Sequence, residues 1–481
     1  MSNESGSVDT EVKIGFFQLL KNLWPNFLVY LPYAFTISIL LINSVIISDI
    51  IWPGDDLSVH AGEFGVLVGT STYMVAFSGI LFGILADKYS RIKLFAFSEL
   101  FYGIGFILNG FVPSGRGFTT FILFMVFNLI RGFGAGGYYP IIASHVNDST
   151  EDKERSQFFG IIQALFQVFQ IIGMVISAIL FENYFWRLYF FVMGGLITFF
   201  GILVYYVAKE PKRGAKRKEL KEILSNDNIV YDYQLTKETI KTTVFSATNI
   251  IAFFEGIFTT IIFGVPDFLV TFYLQAAPHN LSPLILSLFM IVFGLPGGVI
   301  GSLAFAKISD RLGKRNIKNR VYIIVFSIVI IFFCFLMFFF IPLPSITPEQ
   351  GKNMLFVVSL PSFWMLGLTA FIIRAVIGLW NINQPSILQE INLPEAQGKI
   401  SSANQLLESI GSGTGPIIAG SVLLFFNQNY QVTAIIMISL GIIGGLLWLL
   451  ALKWINKDVD RVSSILKQRG LELRERSKTT E

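Results

Sequence analysis

Five ionisable side chains, Glu99, Arg131, Glu255, Arg374 and Glu408, stand inside otherwise apolar runs of the 481-residue chain. In hydrocarbon an ionised side chain costs about 3 kcal/mol or more unless it is paired or hydrated, so such residues mark a solute path, a proton site or a gate. Three amides, Gln163, Gln167 and Gln170, recur at i, i+4 and i+7 and share one helix face, with Ser177 one or two turns beyond. Lipid offers an amide no partner, so the row points to a cavity or to hydrogen bonds between helices. Trp380, Asn381, Asn383 and Gln384 crowd the segment before Pro385 and read as a cavity wall or inner gate. This is binding chemistry rather than covalent chemistry. The three histidines, His60, His145 and His279, fall at span ends or in loops, and no His, Cys or carboxylate cluster has metal-ligand spacing. No strand and Lys–Ser/Thr pair frame the glycines Gly132, Gly134, Gly136 and Gly137, which excludes a nucleotide loop and an ATP-driven pump. The reading is a protein that is not an enzyme and needs no cofactor.

The elements that position these residues follow from composition. Hydrophobic residues make up 53% of the chain and charged ones 14%, with a mean hydropathy of +0.64, too apolar for a soluble fold. Spanning a bilayer takes about 20 apolar residues, and the chain holds twelve such runs. The fold class is an all-α membrane protein with twelve transmembrane helices in two pseudo-symmetric six-helix bundles. The expected divisions are an N-terminus at 1–26 with a possible interfacial helix, a six-helix bundle at 27–208, a linker at 209–244, a second bundle at 245–455 and a tail at 456–481. Of the 36 Lys and Arg all but five lie on one side of this topology. Arg116, Arg187 and Lys352 lie near the other side, and Arg131 and Arg374 fall within spans. Such asymmetry places both termini in the cytoplasm and accounts for the basic balance without nucleic acid. The lone Cys334 can form no intrachain disulfide.

The halves repeat. GILADKYSRIK follows the second span and AKISDRLGKRN the eighth, so Asp87 matches Asp310, while Arg131 of the fourth span matches Arg374 of the tenth. A turn with Gly83, Asp87 and Arg91 can bond a neighbouring helix N-terminus, with Arg91 reaching a carboxylate such as Glu151, Asp152 or Glu154. With twelve spans, this motif, its weaker copy and the glycine-flanked Arg131, the chain resembles the major facilitator superfamily over nearly its whole length. RGFGAGGYYP, KERSQFFG, Trp186–Arg187 and EPKRG are similar to the spinster-type lipid transporters within it. Two departures stand out: Ala306 replaces the second motif's glycine, and the fifth span lacks the proline of proton-driven drug antiporters.

The resemblance implies alternating access, with spans 1, 4, 7 and 10 around a central cavity. It points to Asn43, Arg131, Glu255 and Arg374 as cavity residues, joined by Tyr138, Gln163, Gln167, Trp380 and Asn381 from the residues themselves. Gly83, Asp87, Arg91, Arg155, Asp310 and Arg311 become gating residues. Many relatives have a titrating aspartate where Asn43 stands; an amide cannot titrate, so proton coupling would fall to Glu255, Glu408 or Glu99. Two arginines against Glu255 would leave the cavity net positive, suited to an amphiphilic or anionic organic molecule or a lipid. The alternatives are a sensor or scaffold that keeps the fold, and a proton-coupled drug or metabolite efflux carrier. The expected setting is the cell membrane, as a monomer in contact with lipid.

Overall fold

The computed structural model describes residues 16–150, 152–210, 236 and 240–479. The linker from 211 to 235 and the first 15 residues lie outside the described residues. Twelve long helices account for the spans. They are α1 (Phe16–Thr36), α2 (Ala61–Lys88), α3 (Arg91–Gly110), α4 (Phe118–Ala135), α5 (Asp152–Glu182), α6 (Trp186–Val207), α7 (Ala247–Gln275), α8 (Leu295–Arg315), α9 (Lys318–Phe340), α10 (Pro361–Glu390), α11 (Pro394–Phe425) and α12 (Tyr430–Ala451). Among the described residues eleven stretches are long and apolar enough to cross a bilayer. The twelfth span, α11, has the length at 32 residues but dilutes its apolarity with Asn404, Gln405, Glu408 and five glycines. A final helix, α13 (Ile455–Thr479), follows α12 and buries Ile455 and Val462. An even number of spans puts the start of α1 and the end of α12 on one face, here the terminal face.

Several helices are interrupted for reasons visible in the sequence. Leu23, ahead of Pro25, breaks helical geometry inside α1 (φ −117°, ψ 19°) and separates its first turns from the span. The first span then continues through Ile39–Ile42 and Ser44–Ile51, with Asn43 at the junction. α4 runs on as Tyr138–Ser149 past Gly136 and Gly137. The eighth span starts as Pro283–Phe289 and reaches α8 through a π-helical turn at Met290–Gly294.

Packing within the halves is pseudo-symmetric. α3 lies along α6 and α4, as α9 lies along α12 and α10; α2 packs on α4, as α8 packs on α10. The halves join through α2 against α11 and α5 against Pro283–Phe289, two contacts related by the same exchange. At the first of these, glycine is required by close approach. A Cβ on Gly65 would stand 2.9 Å from the carbonyl carbon of Pro416, and one on Gly413 would stand 2.6 Å from the Tyr73 ring. Small residues let helices in lipid gain dispersion contacts and backbone proximity that apolar burial alone does not supply.

Both ends of α3 are satisfied by charges flanking α6. At its C-terminus Arg187 donates to the carbonyls of Gly110 (2.8 Å) and Val112 (2.9 Å) while lying over Trp186. At its N-terminus the Glu210 carboxylate accepts from the amides of Arg91 and Ile92, each at 3.0 Å. A cation at the carbonyl end and an anion at the amide end are the arrangement the helix dipole favours.

Candidate functional site: a solute cavity between the two halves

A cavity of about 300 Å³ opens where the halves meet. The broken first span gives it Ser38, Leu41 and Ile42; α5 gives Gln163, Phe166, Gln167, Gln170, Ile171 and Met174; α7 gives Asp267 and Thr271; and the eighth span and α10 give Met290, Gly294, Leu295, Gly298 and Arg374. The glutamine row therefore faces the cavity, and Gln170 also donates to Ser38 Oγ at 2.8 Å. Opposite the row, the Arg374 guanidinium donates to the Asp267 carboxylate. Both side chains keep more than a third of their surface open, so the pair belongs to the cavity rather than to the core.

Toward the face opposite the termini the cavity is closed by bonds between the halves. Gln275 at the end of α7 donates to the Ile42 carbonyl (2.7 Å) and accepts from Ser44 Oγ (3.0 Å) and the Val45 amide (3.2 Å). A side-chain amide thus takes up backbone groups that the break at Asn43 leaves without helical partners, as a bilayer interior demands. Tyr73 and Thr414 hydroxyls meet at 2.6 Å, Asp56 accepts from the Ala277 amide at 3.0 Å, and Glu182 accepts from the Leu284 amide at 2.8 Å.

The other residues expected in the cavity go elsewhere. Arg131 is buried inside the N-terminal half, its guanidinium 5.4 Å from the Phe106 ring, and Gly105 gives its backbone room. Tyr138 is buried beside it, stacked on Tyr33 at 4.7 Å. Asn43 donates to Ser177 Oγ and to the Ile39 carbonyl, both at 3.1 Å, and joins α5 to the first span. Glu255 is fully buried and accepts from Thr259 Oγ1 and from Trp380 Nε1, so neither Glu255 nor Trp380 reaches the cavity. Asn381 is exposed on α10, outside the cavity lining. Glu99 is fully buried in α3. Glu408 on α11 accepts from Gln384 and Asn404.

Asp267 is the residue that sequence reasoning missed. It stands one position after Pro266 in α7, and its charge was a readable signal inside an apolar run. With it the expected charge pattern changes: Arg374 is neutralised by Asp267, not Glu255, and Arg131 lies outside. The net positive cavity expected from two free arginines is not what the side chains form.

On the terminal face the first motif is held by a partner that sequence reasoning did not assign it. Arg91, almost fully buried, donates to Glu210 at 3.2 Å and to Ser144 at 3.1 Å, and Ser90 Oγ donates to Glu210 at 2.6 Å. Glu151 lies outside the described residues, as do the side chains of Asp87, Asp152, Glu154 and Arg155. Gly83 sits over Pro140, and a Cβ there would make an ordinary contact with Pro140 Cβ at 3.8 Å. In the second copy Asp310 accepts from Arg320 at 3.3 Å, and Arg320 also reaches Asn383 and Glu390, while Arg311 is exposed. Arg320, ten residues past Asp310, is the arginine that pairs with that carboxylate.

Against the desolvation of partial burial, bonds from Ser90, the Ile92 and Arg91 amides and the Arg91 guanidinium hold the Glu210 carboxyl below its ordinary 4.5. A depressed carboxylate contributes stability that is complete above the ordinary value and is lost as pH falls through the lowered one. Glu210→Gln should therefore cost about 1 kcal/mol at neutral pH, and the gap in Tm to wild type should close on acidification below pH 4.5. A pH series of melting curves on both proteins checks this.

A profile of the Major Facilitator Superfamily matches residues 27–413. The chain belongs to this family. Superfamily relatives include a probable sugar efflux transporter of Helicobacter pylori, 22% identical over 91% of this chain and 97% of its own length. Multidrug resistance protein 3 of Bacillus subtilis is 23% identical over 73% of this chain and 71% of its own. Among solved structures, a bacterial homologue of the human lysosomal transporter Spinster, inward-facing and unoccupied, aligns with TM-score 0.64 at 15% identity, covering 92% of this chain and 98% of that one. A D-xylose–proton symporter aligns with TM-score 0.60 at 15% identity, over 89% and 96%. Membership makes the chain a multi-pass membrane transporter and not an enzyme, with a small molecule as its substrate.

Proposed function

We propose that this transporter works by alternating access at the cavity between its halves and carries a neutral or zwitterionic polar solute, with the terminal face in the cytoplasm of the cell membrane. The Asp267–Arg374 pair facing the glutamine row carries this reading. A charge-neutral site rich in amide donors and acceptors matches hydroxyls, amides or paired opposite charges. It gives a lone anion no surplus cation, which weakens the case for an organic anion or an anionic lipid. Buried polar groups left unpaired discriminate strongly against analogues that lack the matching group, so such a site selects by hydrogen-bond pattern. The H. pylori relative is described as exporting sugars and the B. subtilis relative as conferring multidrug resistance, and the former fits this chemistry.

Ligand binding to the folded state raises its apparent stability. A melting screen with neutral sugars, nucleosides, amino acids, organic anions, lysolipids and cationic drugs should give its shifts in the first three classes. The solute with the largest shift should then show saturable counterflow in proteoliposomes. Shifts confined to organic anions would overturn the substrate class, and a solute that binds without counterflow would favour a sensor.

A further inference from the structure

The C-terminal half contains a second polar site that the substrate cavity does not use. Glu255 on α7 is fully buried. Its Oε1 accepts from Thr259 Oγ1 (2.5 Å) and Trp380 Nε1 (3.1 Å), and Trp448 of α12 also faces the carboxyl, while Oε2 has no hydrogen-bond partner. Beside it, across Gly256, lies Glu408 of α11. A Cβ on Gly256 would stand 3.1 Å from Glu408 Cγ and 3.6 Å from Asn404 Oδ1, so glycine gives the Glu408 side chain its room against α7. Glu408 Oε1 accepts from Gln384 Nε2 at 2.6 Å and from Asn404 Nδ2; Asn404 is itself buried, with Oδ1 unpartnered.

No cation joins this pair among the described residues. Arg374 of α10 is engaged by Asp267, and Arg320 of α9 by Asp310, Glu390 and Asn383. α12 has no charged residue, Lys399 is exposed near the start of α11, and Asp458 of α13 caps α7 at Thr248 while pairing with Arg461. The side chain of Glu395 lies outside the described residues. With no cation among the described residues, the fully buried Glu255 carboxyl is costly to ionise while the half-buried Glu408 beside it is charged, since an uncompensated buried charge costs several kcal/mol. The donors gathered on Oε1 suit a carboxyl that keeps one hydrogen on its other oxygen, and the scarcity of converging oxygen acceptors argues against a metal ion.

We propose that Glu255 and Glu408 form a proton-binding site separate from the substrate cavity. Glu408, half-buried, shares a helix face with the exposed polar residues Ser401 and Gln405, on the terminal side of the Gly69–Gly413 contact, and is the entry point. Glu255 is the deeper acceptor. α7 and α10 tie the site to the cavity: α7 bears both Glu255 and Asp267, and α10 bears both Trp380 and Arg374. Phe263, whose ring meets Trp380 edge-on at 4.8 Å, lines the space beside Asp267 and Arg374. Gain or loss of the proton at Glu255 is thereby felt by the cavity.

The test needs no substrate. In lipid nanodiscs, infrared spectra recorded as pH is stepped should show a protonated-carboxyl C=O band that is lost on alkalinisation in wild type and is missing in Glu255→Gln at every pH. Trp fluorescence should titrate with the same midpoint and lose that transition in Trp380→Phe. Thr259→Ala, which removes one hydrogen bond and should fold, should move the midpoint by about one pH unit. A band that survives unchanged in Glu255→Gln, or a midpoint indifferent to Thr259→Ala, overturns the site. A midpoint that follows sodium concentration at fixed pH overturns the proton as its ligand. None of these results depends on which solute the cavity carries.

Discussion

Arg374→Ala is expected to weaken solute binding about 10- to 150-fold, the equivalent of the roughly 1.5–3 kcal/mol carried by a hydrogen bond to a charged group. Asp267→Asn should fall in the same range for a zwitterionic solute, whereas an anionic solute would bind Asp267→Asn more tightly than wild type. The cavity exposes both partners, so screening limits what their pairing adds to stability, and the loss falls on binding rather than folding. Arg374→Lys keeps the charge but cannot offer the same planar two-point contact, and should recover only part of the affinity. The exchange Asp267→Arg with Arg374→Asp should restore some binding, because the pair couples and the single effects do not add. Melting shifts with a bound sugar or nucleoside measure all four variants. Wild-type binding in both single variants would remove the ion pair from the site.

Gly65→Leu is the second large effect. The Cβ alone would press to 2.9 Å against the carbonyl carbon of Pro416 and 3.2 Å against Ile417 Cα, both backbone atoms that give way only if α11 shifts. Overpacking of this kind costs about 1–3 kcal/mol, which shifts the ratio of sealed to unsealed protein by about 5- to 150-fold. The cavity should then open to the face that the Tyr73–Thr414 and Gln275 bonds now close. In a Cys334→Ala background, a cysteine at Gln167 should react faster with an impermeant thiol reagent from that face once Gly65→Leu is added, while turnover falls. An unchanged rate would show that α2 and α11 do not form the seal.

The fold was largely legible because the bilayer writes it in long apolar runs. Twelve runs, a charge asymmetry and a 223-residue repeat between Asp87 and Asp310 were enough to anticipate the helices and their pairing. The weakest run, α11, dilutes its apolarity with polar residues and glycines but keeps the length to span. The site was legible only in part. The glutamine row was read from its spacing, and spacing on one helix is local information. Asp267 and Glu210 were missed because their roles depend on which helix faces which. Arg131 and Glu255 are as conspicuous in sequence as Arg374, yet helix rotation turns them into the interiors of the halves. Arg311 carries the repeat's signal beside Asp310 but is exposed, while Arg320, which pairs with Asp310, stands outside the motif.

The most direct test of the account is protection of the cavity by its own substrate. With Gln167→Cys in a Cys334→Ala background, the rate of alkylation should fall as the solute that supports counterflow is added, with half-protection at the concentration that half-saturates counterflow. Counterflow that proceeds at full rate while the alkylation of that cysteine is untouched would place the transport path elsewhere and contradict the account.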